Sequence, residues 1–379
     1  MYRGHTAGVV IPAYNEEGFV GETIESVPEV VDRIYVVEDG STDETWAEIE
    51  RRATAVNERG RSPAASTGPF DRRVVPIRHE RNRGVGGAIK TGYRYARRDG
   101  IDLTAVMGGD GQMEPEMLGD LFDPIVEGRA EYTKGNRLMR RTGHGDMPWF
   151  RFVGNATLTA LTKIASGYWG SGDPQSGYTA ISLTALRSAD VEEMYEYYGY
   201  CNDLLVKLNV ADARVADVPR PITYGDEESD ISYRSYVPRV SAMLFRNFLG
   251  RLWTKYVLFD FHPLVVAYAI GAVAAAAGVV GAGATARAAA AGGSPAATAA
   301  VSLLLLLAGG GGLVAGMVLD ARANEHLDAT DHRLGGRAAA DGPEARVDPE
   351  RATRNDEATR NGEAARAVPD PQPAEAGED

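Results

Sequence analysis

The chain has little cysteine, little lysine and no clustered histidine. Cys201 is the sole cysteine in 379 residues, which excludes an internal disulfide and a cysteine-based metal site. The six histidines are scattered, with no metal-ligand spacing. Lysine occurs only at Lys90, Lys134, Lys163, Lys207 and Lys255; the remaining 35 of the 40 basic residues are arginines. Acids outnumber bases, giving a net charge of -13 and a pI near 5.1, which argues against a nucleic-acid partner. An acidic, lysine-poor chain rich in alanine and glycine suggests a salt-loving, high-GC organism. No secretory leader is expected, because the first apolar run, Ala7 to Ala13, is short and leads straight into a motif.

The first hundred residues alternate strand-like and helix-like stretches. Gly8 to Pro12, Ile34 to Val37, Val74 to Arg78 and Leu103 to Met107 are apolar runs that predict buried strands. Helices are predicted from Asn15 to Val27, from Ser41 or Thr42 through Arg52, and from Gly84 to Arg97. This order implies an α/β fold with a mostly parallel sheet and right-handed crossovers. Ligands of such sheets bind outside the carboxyl ends of the strands. Tyr14, Asp39, Gly84 and Asp110 all fall at such ends.

The most informative stretch is Gly108-Gly109-Asp110-Gly111-Gln112, at the end of the fourth strand. Three glycines allow a backbone to approach a ligand closely. Asp110 and Gln112 offer hard oxygen donors two residues apart, and magnesium or manganese commonly takes one or two carboxylates with substrate phosphates completing the shell. A glycine-rich turn with a solvated carboxylate is the plain alternative.

Taken together, Val10 to Glu17, Val37 to Asp43, Asn82 to Ala88 and Gly109 to Gln112 occur in the order found in glycosyltransferase family 2. The set resembles the dolichyl- and polyprenyl-phosphate sugar synthases over roughly residues 7–235. That resemblance implies a GT-A fold, a nucleoside-diphosphate sugar donor of the GDP-mannose or UDP-hexose type, and Mg2+ or Mn2+. It implies nucleotide-sugar contacts from Pro12, Tyr14, Glu16, Val37, Asp39, Gly84, Gly109, Asp110 and Gln112. Metal ligation falls to Asp110 and Gln112. Gly108 departs from the pattern: it stands where dolichyl-phosphate mannose synthases carry a first Asp. Arg137, joined by Arg151, is implied to hold an acceptor phosphate. Asp203 stands near a position where many relatives place a catalytic carboxylate, alongside readings as a helix cap or a sugar contact.

The last third reads as membrane-associated. Tyr236 to Phe259 carries Arg239, Arg246, Arg251 and Lys255 among large apolar residues with no acid, the pattern of a basic amphipathic helix on a lipid surface. Pro263 to Ala284 and Ala296 to Leu319 are uncharged and each exceeds the roughly 20 residues that cross a bilayer. Basic residues crowd before the first run while Arg287 stands alone between the two, so the positive-inside rule puts the catalytic half and the C-terminus in the cytoplasm. The expected organisation is a catalytic domain over 1–235, a juxtamembrane helix over 236–260, a two-helix membrane hairpin over 261–319 and a disordered tail over 320–379.

The function implied is inverting transfer of a sugar to a dolichyl or polyprenyl phosphate at the cytoplasmic face. Two rivals stay open: transfer to another lipid or glycan, and an inert membrane scaffold that keeps the fold. A homo-oligomer is also open.

Overall fold

The computed structural model describes residues 1–60, 70–139, 149–220 and 233–330; side chains are described for these except at 60, 149–153, 155 and 233–235. Among these described residues, seven strands form one sheet in the order β3-β2-β1-β4-β6-β5-β7. They are β1 (Ala7–Ala13), β2 (Arg33–Glu38), β3 (Val74–Arg78), β4 (Leu103–Val106), β5 (Tyr132–Asn136), β6 (Thr179–Ser182) and β7 (Val215–Pro219). Only β6 runs against its neighbours, β4 and β5. The mostly parallel α/β sheet expected from the sequence is therefore present.

Period-2 alternation feeds two cores. Val10, Tyr35, Val37 and Val106 face one side, while Val9, Ile11, Val36 and Ala105 face the other. The first side is covered by α3 (Val85–Asp99), α6 (Leu183–Ser188) and α7 (Tyr200–Val210). The second is covered by α1 (Val20–Ser26), α2 (Thr45–Gly60) and α4 (Leu118–Val126). A third cluster joins α5 (Trp149–Ser166), α7 and α8 (Tyr233–Trp253).

Helix α1 begins later than its acidic first turn implied. Asn15 and Gly18 have φ of 55° and 87°, which breaks a right-handed helix. The N–H groups of Asn15, Glu16 and Gly18 donate to Ser41, Thr45 and Glu48, so the segment is a loop stitched to the start of α2. Helix α2 starts at Thr45, with Asp43 accepting its N–H at 3.1 Å.

Beyond α8, a π-helical turn at Thr254–Phe259 leads into α9 (Leu264–Ala290) and α10 (Ala296–Ala323). Both are long and apolar enough to cross a membrane, and only 22% and 17% of their most apolar windows are buried, unlike the core helices of a soluble protein. They pack backbone to backbone. A Cβ added at Gly309 would collide with Ala275 N, and one at Gly271 would lie 2.6 Å from Leu313 N.

Two expectations change here. Arg251 and Lys255 do not face lipid: Arg251 is 1% exposed and forms a doubly hydrogen-bonded ion pair with Asp320, while Lys255 pairs with Asp212 at 2.7 Å. An uncompensated charge at such depth costs several kcal/mol, so the partner wins over the surface. The exposed stripe consists instead of Phe245, Leu249, Trp253, Leu258 and Phe259, with Arg239 and Arg246 beside it. The second change concerns residues 320–330, read as tail from their composition. They finish α10 and then fold back, with Asp328 forming a parallel bridge to Val215. The rest of the expected tail lies outside the described residues.

Candidate active site

The carboxyl ends of β1, β2, β3, β4, β5 and β7 and the amino end of β6 share one edge of the sheet. The strand order reverses between β1 and β4, the place where a parallel sheet opens a crevice. Tyr14 and Asp110 lie on its two sides.

The first and fourth motifs meet there. A Cβ on Gly109 would lie 3.0 Å from Pro12 O and 3.5 Å from Glu16 Cγ, and Thr23 Oγ1 donates to Gly109 O at 3.2 Å. Tyr14 is 45% exposed, which leaves its ring open for stacking. Asp110 Oδ1 accepts the Gln112 N–H at 3.0 Å, closing a tight turn. Its Oδ2 has no protein partner among the described residues. Gly108 faces this carboxylate, since a Cβ there would lie 3.0 Å from Asp110 Oδ1. Among the described residues no group of three or more His, Cys, Asp or Glu could cage a metal. One free carboxylate oxygen and an amide fit a cation that arrives with substrate phosphates rather than a resident ion.

Asp39 is buried and oriented. Its Oδ1 meets His79 Nδ1 at 2.6 Å and accepts the Arg83 N–H at 2.9 Å, while His79 Nε2 lies 2.9 Å from Thr91 Oγ1. Both contacts fall on one oxygen, Oδ1. Glu38 is fully buried; it accepts from Arg78 Nε at 3.1 Å and from the Ser41 N–H, so it holds the turn. Val37 is a core residue with no exposed surface, and its side chain serves the sheet rather than the crevice.

Gly84 has φ 83°, and a Cβ there would lie 2.5 Å from the Glu196 carbonyl. The same carbonyl accepts the Gly87 N–H, and the Glu196 carboxylate pairs with Arg83 and Lys90 at 2.8 Å each. The glycines at the start of α3 are thus needed for the close approach of the 195–197 segment.

On the other half of the edge, Arg137 is clasped by Asp173. Its Nε and Nη2 donate to Oδ2 and Oδ1 at 2.7 and 2.9 Å, in the fork geometry that suits a guanidinium. Burial alone raises the Asp173 pKa, but the hydrogen bonds and charge of Arg137, with Lys134, outweigh it and hold the carboxyl below its usual range. Beneath it, buried Lys134 pairs with Asp217 at 2.8 Å and donates to the Gly172 carbonyl. Gln175 Nε2 and Ser176 Oγ, in the same loop, are buried without partners among the described residues. Arg220, next after β7, donates to the Gln112 carbonyl at 2.9 Å and lies over the Tyr178 ring. The Arg151 side chain is outside the described residues.

Asp203 stands apart. It is 2% exposed; Oδ2 accepts the Tyr195 N–H at 2.8 Å and Oδ1 accepts from Asn247 Nδ2 at 2.6 Å. Desolvation raises its pKa despite Lys207 and these hydrogen bonds. The carboxyl ties α7 and the 195 loop to α8.

The pattern of glycosyl transferase family 2 matches residues 8–188. A UDP-N-acetylglucosamine–dolichyl-phosphate N-acetylglucosaminyltransferase from Methanococcus voltae is 30% identical over 220 residues, which cover 57% of this chain and 85% of that one. The chain belongs to glycosyl transferase family 2. A polyprenol monophosphomannose synthase from Mycolicibacterium smegmatis is 28% identical over 60% of this chain and 80% of that one. A crystal structure of glucosyl-3-phosphoglycerate synthase from Mycobacterium tuberculosis, with Mn2+, UDP-glucose and phosphoglyceric acid, matches at TM-score 0.43 and 22% identity, over 65% of this chain and 80% of that one.

For this family 2 glycosyltransferase, sequence reasoning missed His79, Glu196, Asp217 and Arg220. Two of them carried a usable signal: His79 and Arg220 directly follow β3 and β7, the same rule that singled out Asp39. Asp217 and Glu196 act across 45 to 113 residues of chain, and no local pattern marks them.

With both oxygens engaged, Asp203 is expected to hold structure rather than to take a proton. Asp203→Asn should keep transfer within about tenfold, whereas loss of a general base typically costs about 10²–10⁴. The pH dependence has a definite sign. Because the folded pKa is raised, ionised Asp203 opposes folding, and this penalty grows as pH rises from the unfolded value through the folded one. Melts of wild type and Asp203→Asn across the acid range should therefore show wild type losing ground relative to the variant as pH rises.

Proposed function

We propose that this chain transfers a sugar from a nucleoside-diphosphate sugar to a dolichyl or polyprenyl phosphate at the cytoplasmic face of the membrane. One observation carries the reading. The nucleotide-side groups Tyr14, Asp39 and Asp110 and the forked Arg137 converge on one sheet edge, in a chain that continues into two membrane-length helices. The names of the relatives from Methanococcus voltae and Mycolicibacterium smegmatis, both enzymes of polyprenol-type lipids, support it.

The chemistry asks little of a base. A phosphomonoester has a second pKa near 6 and is largely a dianion at neutral pH. Its oxygen attacks the anomeric carbon, the new C–O bond forms as the bond to the diphosphate breaks, and the anomeric centre inverts. Arg137 grips the acceptor phosphate; Arg220 places a second cation beside Gln112. Tyr14 and Asp39 hold the nucleoside, with the Asp39 carboxylate matched to an N–H or O–H of base or ribose. Gln175 and Ser176 offer unpaired polar atoms to sugar hydroxyls. Asp110, with Gln112, would hold a divalent cation, Mg2+ or Mn2+, which neutralises charge on the departing diphosphate when bound.

Assaying purified membranes against a panel of UDP and GDP sugars, with polyprenyl phosphate added, tests the reading. A lipid-extractable, acid-labile sugar phosphate is the expected product, and water-soluble or glycan products in its place would count against it. Sidedness has its own test. Protease added outside sealed cells should spare both large segments and cut, at most, between Arg287 and Pro295. Digestion of the catalytic half in intact cells would reverse the orientation.

A further inference from the structure

The chain does not leave the catalytic domain when it enters the hairpin; it comes back. Arg251 of α8 grips Asp320 at the end of α10 with two hydrogen bonds of 2.9 and 2.8 Å, and also donates to the Ala165 and Ile164 carbonyls of α5. Asn324 then bonds Asn209 of α7 and Tyr256. Leu327 is 1% exposed and sits in the sheet's own core with Val215 and Leu208. Ala329 N–H donates to Val215 O at 2.9 Å, and Thr330 Oγ1 accepts the Asp217 N–H at 3.1 Å. The segment thus covers β7, an edge strand that would otherwise present unpaired backbone groups.

Asp217 is the residue on which the acceptor side of the site converges. Its carboxylate receives Lys134 Nζ, Asn136 Nδ2, Ser171 Oγ and the Gly172 N–H within 3.0 Å. Lys134 reaches on to the Gly172 and Asp173 carbonyls, and Asp173 clasps Arg137. Asp328 also touches this loop, since a Cβ on Gly170 would collide with its carboxylate. Polar contacts anchor both ends of this path, at Asp320 and Asn324 and again at Ala329 and Thr330, and the intervening backbone with the buried Leu327 side chain joins them, so the path runs from the membrane helix to the guanidinium.

We propose that residues 320–330 are a positioning element of this site: they lock the hairpin to the sheet edge and, through Asp217, hold the 171–173 loop that aims Arg137. The proposal rests on reading Arg137 as the acceptor anchor, and its test separates the two.

The test uses full-length protein in detergent. Ala329→Pro removes the N–H that bonds Val215, and Thr330→Val removes the hydroxyl that caps Asp217. Amide exchange is followed over 133–137 and 171–176, with 7–13 and 33–38 as internal controls. In parallel, UDP and GDP affinities are measured by calorimetry, and acceptor KM with a short-chain polyprenyl phosphate. In Ala329→Pro, exchange at the two site segments should rise about tenfold or more while the controls stay fixed. Acceptor KM should rise about tenfold, with kcat and nucleotide affinity nearly unchanged, the signature of lost binding geometry. Thr330→Val, which loses one contact, should shift both quantities the same way by a smaller factor, and it decides the matter if the proline variant does not fold. Unchanged exchange over 171–176 would overturn the proposal. So would faster exchange with an unchanged acceptor KM, or a parallel loss of nucleotide affinity, which would mark general loosening. If exchange rises but no polyprenyl phosphate is turned over by wild type, the coupling stands and the proposed acceptor falls.

Discussion

Asp110→Asn is expected to reduce transfer on the order of a hundredfold to a thousandfold, the scale seen when a preorganised electrostatic stabiliser is removed. The reason lies in how little else is present. Asp110 is the only carboxylate of its motif, its Oδ1 is held by the Gln112 N–H, and no second acidic ligand stands at 108. An amide in its place keeps the turn but supplies no charge to a cation. Nucleotide binding should lose its metal dependence at the same time. Gly108→Asp is the complementary variant. Gly108 has an ordinary negative φ and faces the Asp110 carboxylate, so a second acid there adds charge where the first points. Two carboxylates this close repel unless a cation sits between them, so metal affinity should hold or rise. A magnesium titration of both variants checks the pair; near-normal turnover by Asp110→Asn would remove this residue from the mechanism.

Arg137→Ala is expected to lower acceptor efficiency about tenfold to a hundredfold, the equivalent of a charge-assisted phosphate contact worth roughly 1.5–3 kcal/mol. The structure sharpens the expectation. Asp173 already fixes the guanidinium plane through two hydrogen bonds, so the fork is preorganised rather than free to rotate. Arg137→Lys should recover only part of the loss, because an ammonium cannot share both Asp173 oxygens and still present a second edge to phosphate. The clasp itself is insensitive to neutral pH. The Asp173 pKa is lowered by its partner, so its contribution to stability is complete above the unfolded carboxylate value and disappears only as pH falls through the folded one. Nucleotide affinity measured by calorimetry on the same Arg137→Ala protein should barely move. A fall in that affinity as large as the fall in acceptor efficiency would place Arg137 at the diphosphate instead.

The strand ends that frame this site are legible in the sequence, for a physical reason. In a parallel sheet the strands announce themselves as apolar runs, so the positions just past them, Tyr14, Asp39 and Asp110, follow from the pattern, while their roles follow from the resemblance to family 2. Contacts that close over long stretches of chain left no such trace. Nothing local marks Thr330 as the cap of Asp217, or Asp320 as the partner of Arg251. Composition pointed the wrong way at both places, reading Arg251 as a lipid-facing base and residues 320–330 as tail. A buried ion pair and a half-exposed one look alike in sequence, because what separates them is the partner. The late start of α1 has the same origin: Asn15 and Gly18 adopt positive φ only because side chains of the 41–48 segment receive the freed N–H groups.

The central claim, sugar transfer to a polyprenyl phosphate, is tested most directly by nucleoside-diphosphate release from purified full-length protein. Each UDP and GDP sugar of a panel is offered with Mg2+ or Mn2+, in the presence and absence of polyprenyl phosphate. The account predicts release with at least one donor, dependent on the lipid phosphate and matched mole for mole by lipid-linked sugar. Release that ignores the lipid phosphate, or no release with any donor under conditions where UDP or GDP still binds, would contradict it.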